Sequence, residues 1–305
     1  MRGRKGAVVA TLAAGLLWGS SFVVVKIGLS TLDPYWFVFL RFTTAALVAL
    51  AVAALAGQLR QALRLLRHPL VVWMGVTNAV GFVLQFKGQT LTTAGKAALL
   101  VNTNTIFVAA ASRLFLRERL GPAKALGIAA GMAGVFLVTT GGRLALGSSV
   151  TILGDLTVLA AAVVWTAFVL IDKRLMAAGG VSVRALASAM LIVTAATALP
   201  AALVFGSGRL PPVGWGLWPV GYTAVFCTVI PFALWTWGLK RISATTSSVI
   251  LLTEVVFAMA LAALVLGERQ TTGALWGGVL IGAAVLLASL DSRDEIAAGP
   301  DIVPE

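Results

Sequence analysis

A chain of 305 residues that is 59% hydrophobic and 11% charged, with a mean hydropathy of +0.99, cannot face water, since a soluble domain carries roughly a quarter charged residues. Its solvent is lipid; the net charge of +12 does not signal a nucleic-acid partner, because Lys and Arg stand singly or in small groups between apolar runs. One cysteine (Cys227) and one histidine (His68) exclude an internal disulfide and a Cys/His metal cluster, so neither a metal nor a cofactor is expected.

Crossing a hydrocarbon core takes about 20 helical residues. Ten runs qualify: about 7–29, 34–56, 69–90, 95–116, 122–141, 152–174, 183–205, 214–238, 244–266 and 272–290. The fold class expected is therefore all-α, a polytopic membrane protein of ten transmembrane helices. Arg2, Arg4 and Lys5 before the first run imitate a signal peptide. The run is too long for that, and Trp18 to Lys26 has a counterpart at Trp165 to Lys173, so the first helix is expected to stay. Between the second and third runs, Leu59, Leu63 and Leu66 share one helical face and Arg60, Arg64 and Arg67 the next. That pattern suits a segment lying on the inner leaflet or an ordinary cation-rich loop. The acidic stretch 291–305, with Pro300 and Pro304, reads as a disordered cytoplasmic tail.

Loop charges set the orientation. With the N-terminus in the cytoplasm, sixteen of the 23 Lys and Arg residues fall inside, six fall outside or near the outer ends, and Arg41 lies within the second run. Both termini are expected to be cytoplasmic in a multi-pass cell (inner) membrane protein.

The chain is written twice. Shifted by 150 residues, Ala94–Arg119 matches Ala244–Arg269 at Ala94/Ala244, Thr103/Thr253, Phe107/Phe257, Glu118/Glu268 and Arg119/Arg269. Gly88/Gly238 and Gly127/Gly277 extend the match, and a shift near 147 relates the first run to the sixth. Each unit, 7–141 and 152–290, holds five spans. An odd count sends the second copy into the membrane from the opposite side, which gives two inverted-topology repeats. Many secondary transporters follow this plan and hold substrate near the midplane.

Trp18-Gly19-Ser20-Ser21-Phe22 is followed by Lys26, then Pro34 with Arg41-Phe42, then Glu118-Arg119 and Gly267-Glu268-Arg269 closing the fourth and ninth spans. With these motifs in this order, residues 7–290 resemble the EamA-type branch of the drug/metabolite transporter superfamily. The resemblance implies a ten-helix carrier of small metabolites, often an exporter of amino acids or related solutes. Members often carry a proline in the fourth and ninth spans just after the position of Glu254. Thr105 and Val255 stand there in this chain, so the resemblance brings no proline kink with it.

Glu254 lies near the bilayer centre, where an acid must face the bundle interior or a wet cavity. It reads as a substrate-amine contact or a proton-coupling site, against a structural reading as a protonated acid bonded to a neighbouring helix. Asn104 is its counterpart in the first unit; with Asn102 it would either fix polar groups of a zwitterion or tie helices together. Arg41 would receive a substrate carboxylate or pair with Glu254, against snorkelling or a structural bond. Trp18 and Trp165 are equivalents, as are Gln85 and Trp235, and aromatics beside polar groups suit a pocket. Ser21 and Asn78 are further substrate-binding candidates. Trp73, Trp215 and Trp218 read as interfacial residues. Glu118 and Glu268 are expected to fix the turns they sit in, and Gly127/Gly131 with Gly278/Gly282 to allow close helix packing, within a monomer or in a homodimer.

The leading function is secondary transport by alternating access: export of a small polar or amphipathic metabolite such as an amino acid, with or without proton coupling. An uncoupled facilitator is the near alternative. An integral membrane enzyme lacks support, since HExxH, GxSxG and Walker sequences are absent, and the loops are too short for a sensor's signalling domain.

Overall fold

The computed structural model describes residues 2–92, 94–142, 149–207, 217–266 and 270–297. The first half consists of α1 (Arg2–Leu29), α2 (Pro34–Leu55), the short α3 (Leu59–Leu65), α4 (Pro69–Gln89), α5 (Ala94–Asn102), α6 (Asn104–Phe115) and α7 (Pro122–Thr140). The second consists of α8 (Ser149–Ala178), α9 (Val183–Phe205), α10 (Trp218–Ala224), a π-helical turn at Val225–Val229, α11 (Ile230–Leu239), α12 (Ala244–Leu251), α13 (Thr253–Leu266) and α14 (Thr272–Ala297). Among the described residues nine spans are long and apolar enough to cross a bilayer, and a shorter apolar helix, Leu99–Phe115, supplies the tenth. The chain is an all-α, multi-pass membrane protein.

Local chemistry sets the helix starts. Pro34, Pro69 and Pro122 occupy first-turn positions, where the missing N–H costs nothing. Asp33 accepts from the Tyr35 and Trp36 amides, and Ser182 and Ser243 accept from Ala185 and Thr246, each satisfying an orphan donor. The last helix runs to Ala297, past the expected end at 290. No proline intervenes before Pro300, so the polar residues after 290 extend the helix rather than begin the tail there. The tail beyond 297 lies outside the described residues.

The two halves interlock. α2 packs on α9 and α7 on α14, equivalent against equivalent, while α1 packs on α11 and α13 and α8 on α4 and α6. Each half thus lends its first helix to the other. Glycine makes the approach possible. A Cβ at Gly88 would stand 2.5 Å from a Val158 methyl, and one at Gly238 would stand 2.6 Å from the Thr11 hydroxyl. Gly88/Gly238 and Val158/Thr11 are repeat equivalents, so one packing motif recurs in both halves. Between α7 and α14, Gly127 and Gly131 pack against the other half of the same chain, but the partner glycine is Gly277, whose absent Cβ would lie 2.6 Å from the Gly134 carbonyl. Gly282 faces open space; the expected contact at Gly278/Gly282 is displaced to the neighbouring helix face.

The Arg4 guanidinium donates to the Ser289 carbonyl, which puts the start and end of the bundle on one face, called here the terminal face. On that face α3 buries Ala62 and Leu65 and exposes Leu59, Leu63, Arg60 and Arg64. Its Gln61 donates to the Gly180 carbonyl at 2.7 Å.

Spans four and nine are each broken in two. At Thr103 and at Leu252 the backbone switches to i→i−3 bonds: Thr103 to Leu100 and Ile106 to Thr103, and likewise Leu252 to Val249 and Val255 to Leu252. Thr103 and Thr253 donate their hydroxyls back to Leu100 and Ile250, so these carbonyls are held without proline. The discontinuity lies at equivalent depths in both copies.

Candidate functional site

The breaks in spans four and nine face each other across a cavity of about 190 Å³ between the halves. Such a volume exceeds the ~150 Å³ that accepts a benzene ring. All ten side chains singled out from sequence line it: Trp18, Ser21, Arg41, Asn78, Gln85, Asn102, Asn104, Trp165, Trp235 and Glu254.

Arg41, on α2, is buried, and its place is dictated by α11. Pro231 has no N–H, so the Cys227 carbonyl four residues earlier lacks its ordinary α-helical donor. Arg41 Nη2 supplies one at 2.8 Å, and Nε donates to Thr228 Oγ1 at 2.9 Å. The π turn at Val225–Val229 presents both acceptors. The guanidinium also lies 5.0 Å from the Phe82 ring centre and 5.6 Å from Phe42, where ring faces attract a cation. Arg41 therefore makes structural bonds and still borders the cavity; it forms no ion pair with Glu254 among the described residues.

Glu254 lies in the first turn of α13, directly after the break. A Cβ at Gly19 would stand 2.7 Å from its carbonyl oxygen, so α1 crosses in backbone contact there. The Glu254 carboxylate has no hydrogen-bond or ionic partner among the described residues and borders the cavity. Its equivalent behaves differently. Asn104 donates to the Ala162 carbonyl at 2.8 Å and to Thr166 Oγ1 at 3.3 Å, which ties α6 to α8. Asn78 donates to Thr194 Oγ1 at 3.2 Å. Gln85 is buried, borders the cavity, and has no hydrogen-bond partner among the described residues.

The wall is aromatic. Trp18 meets Trp235 edge to face at 6.0 Å, and Trp235 stacks on Phe168 at 5.8 Å with 10° between the planes. Trp165 meets Phe82 edge to face at 5.0 Å. The Trp235 indole N–H donates to Ser247 at 2.9 Å. Sequence reading missed Phe82 and Phe232, although their identity at the 150-residue shift was a usable signal. It also missed Thr228, Cys227 and Ser248, which only the packing exposes. Trp73 and Trp218 are exposed, as interfacial residues would be; Trp215 and Glu268 lie outside the described residues.

Toward the terminal face the two halves are tied to each other. Glu118 does not merely hold its own turn: it accepts from the Ala244 and Thr245 amides at 2.7 and 3.2 Å and from the Thr245 hydroxyl at 3.0 Å. It therefore caps α12 in the opposite half, because the free N–H groups of that helix start are the nearest donors. Ser112 and Thr245 share a hydroxyl bond at 2.8 Å. At the other end, α5 and α13 both lean on α7.

The profile of the EamA-like transporter family matches residues 5–140 and again residues 152–290. An uncharacterized transporter of Archaeoglobus fulgidus is 29% identical over 285 residues, covering 90% of this chain and 94% of that protein. A probable terminal-alkyne amino-acid exporter of Streptantibioticus cattleyicolor is 30% identical over 291 residues, 92% of each chain. An uncharacterized inner membrane transporter of Escherichia coli, YedA, is 27% identical over 238 residues, covering 77% of this chain and 74% of that protein. A solved crystal structure superimposes with a TM-score of 0.82 at 21% identity, covering 96% of this chain and 99% of the other, and shares the fold.

Proposed function

This chain belongs to the EamA-like transporter family, and on that premise we propose that it is a secondary exporter of amino acids or similar small amphipathic metabolites, driven by alternating access of its two halves. The observation that carries the reading is the cavity at the two helix breaks, which offers a cation at Arg41, an unpartnered acid at Glu254, a free amide at Gln85 and aromatic walls. A zwitterion with an apolar side chain answers all of these: carboxylate toward Arg41, ammonium toward Glu254, side chain against Trp18, Trp165 and Trp235. Asn102, Asn104, Asn78 and Ser21 complete the polar lining. The amino-acid exporter among its relatives supports the substrate class.

The cation-rich terminal face is the cytoplasmic one. On this reading the contact that Glu118 makes between α6 and α12 is the cytoplasmic gate. Exchanging which half tilts would part that contact and bring α5 and α13 together. Glu254 couples transport to protons by holding either a substrate ammonium or a proton, one at a time. Proton entry then accompanies substrate exit. The test is uptake and counterflow in proteoliposomes against a panel of amino acids, with and without a pH gradient. Saturable counterflow of an apolar amino acid, and net transport driven by the pH gradient, are the expected results; no counterflow with any panel member would overturn the proposal.

A further inference from the structure

The turn that ends α6 borders an open surface depression, lined by Arg113, Arg117, Glu118, Arg119, Leu120 and Gly121. Its one carboxylate, Glu118, is committed to the start of α12. The guanidinium groups of Arg113, Arg117 and Arg119 form no hydrogen bond or ion pair among the described residues. Three unneutralised cations around one concavity attract an anion.

Arg117 adds an independent observation. Its φ is 55°, the only positive φ outside glycine among the described residues. One repeat later, Leu116, Glu118 and Arg119 recur as Leu266, Glu268 and Arg269, but the residue matching Arg117 is Gly267 and the one matching Arg113 is Ala263. Glycine is what a left-handed backbone favours. The second copy carries that glycine, whereas the first carries an exposed guanidinium there, at the rim of the depression. Leu114 and Phe115, on the same turn, are 73% and 66% exposed, as side chains facing acyl chains are.

We propose that this turn binds the phosphate group of an anionic membrane lipid. The arginines meet the headgroup and Leu114 and Phe115 lie along its acyl chains. Occupancy steadies the turn from which Glu118 reaches α12.

The purified protein is melted in neutral detergent with added phosphatidylglycerol, phosphatidylcholine or inorganic phosphate. Phosphatidylglycerol is expected to raise the Tm by several degrees more than either of the others. Arg117→Gly, which keeps the turn and relieves its backbone, combined with Arg113→Ala, is expected to remove that advantage without lowering the Tm of the lipid-free protein. Arg60→Ala with Arg64→Ala, on the same face, is expected to leave it intact. Equal shifts from both lipids, an undiminished shift in the Arg113/Arg117 variant, or an equal loss in the Arg60/Arg64 variant would overturn the site. An equal shift from inorganic phosphate would overturn the lipid as its occupant.

Discussion

Asn104 and Glu254 occupy the same place in the two halves, yet one is tied down and the other has no partner among the described residues. The crossing helix and the side chain's own donors together make the difference. In the first half α8 passes with Ala162 and Thr166, whose carbonyl and hydroxyl take the Asn104 amide. In the second, α1 passes with Gly15 and Gly19, the positions equivalent to Ala162 and Thr166. A Cβ on Gly15 would meet Thr253 Oγ1 at 3.0 Å. Contact at these glycines is backbone to backbone, and an ionised carboxylate has no N–H to give the α1 carbonyls as the Asn104 amide gives Ala162, so it is left to the cavity. One duplicated position has thus become a structural tie in one copy and an acid at the cavity wall in the other.

The sharpest way to break this comparison is to fill the glycine. Gly19→Val would drive a methyl into the Glu254 backbone, and overpacking of this kind costs about 3 kcal/mol. Thermal unfolding should show a large loss, whereas Thr166→Val in the other half should cost only about 1 kcal/mol, the worth of its bonds. Next in size is Arg41→Met, which leaves the Cys227 carbonyl without a donor and should cost about 2 kcal/mol, together with a rise in the substrate concentration needed for half-maximal counterflow. Asn104→Leu should lower stability by about 1 kcal/mol while substrate affinity changes little. The smallest effect belongs to Thr103→Val or Thr253→Val, about 0.5 kcal/mol each, read as a small drop in Tm; if either abolishes folding, the breaks are held by more than these hydroxyls.

Much of this was legible in the sequence because duplication is a long-range signal carried in a one-dimensional string. Matching Trp18 with Trp165 and Gln85 with Trp235 was enough to collect residues from distant spans into one cavity. What stayed hidden depends on partners across the halves. Whether Asn104 binds substrate or a helix turns on Ala162, which lies 58 residues away and whose carbonyl advertises nothing in the sequence. Glu118 looked local because its neighbours are charged, while its partners at Ala244 and Thr245 are backbone amides. The Gly278/Gly282 misreading arose because a small-residue spacing says which side chains are short, not which helix face meets a neighbour. The breaks at Thr103 and Leu252 occur without proline, the residue whose absence had argued against them.

The central claim is that Glu254, and not its twin, couples transport to the proton gradient. Glu254→Gln and Asn104→Leu should be compared in the same proteoliposomes, with counterflow at symmetric pH and net transport under an imposed pH gradient measured for each. The account predicts that Glu254→Gln retains counterflow and loses the response to the gradient, while Asn104→Leu retains both. Gradient-driven transport surviving in Glu254→Gln, or vanishing in Asn104→Leu with counterflow intact, would contradict it.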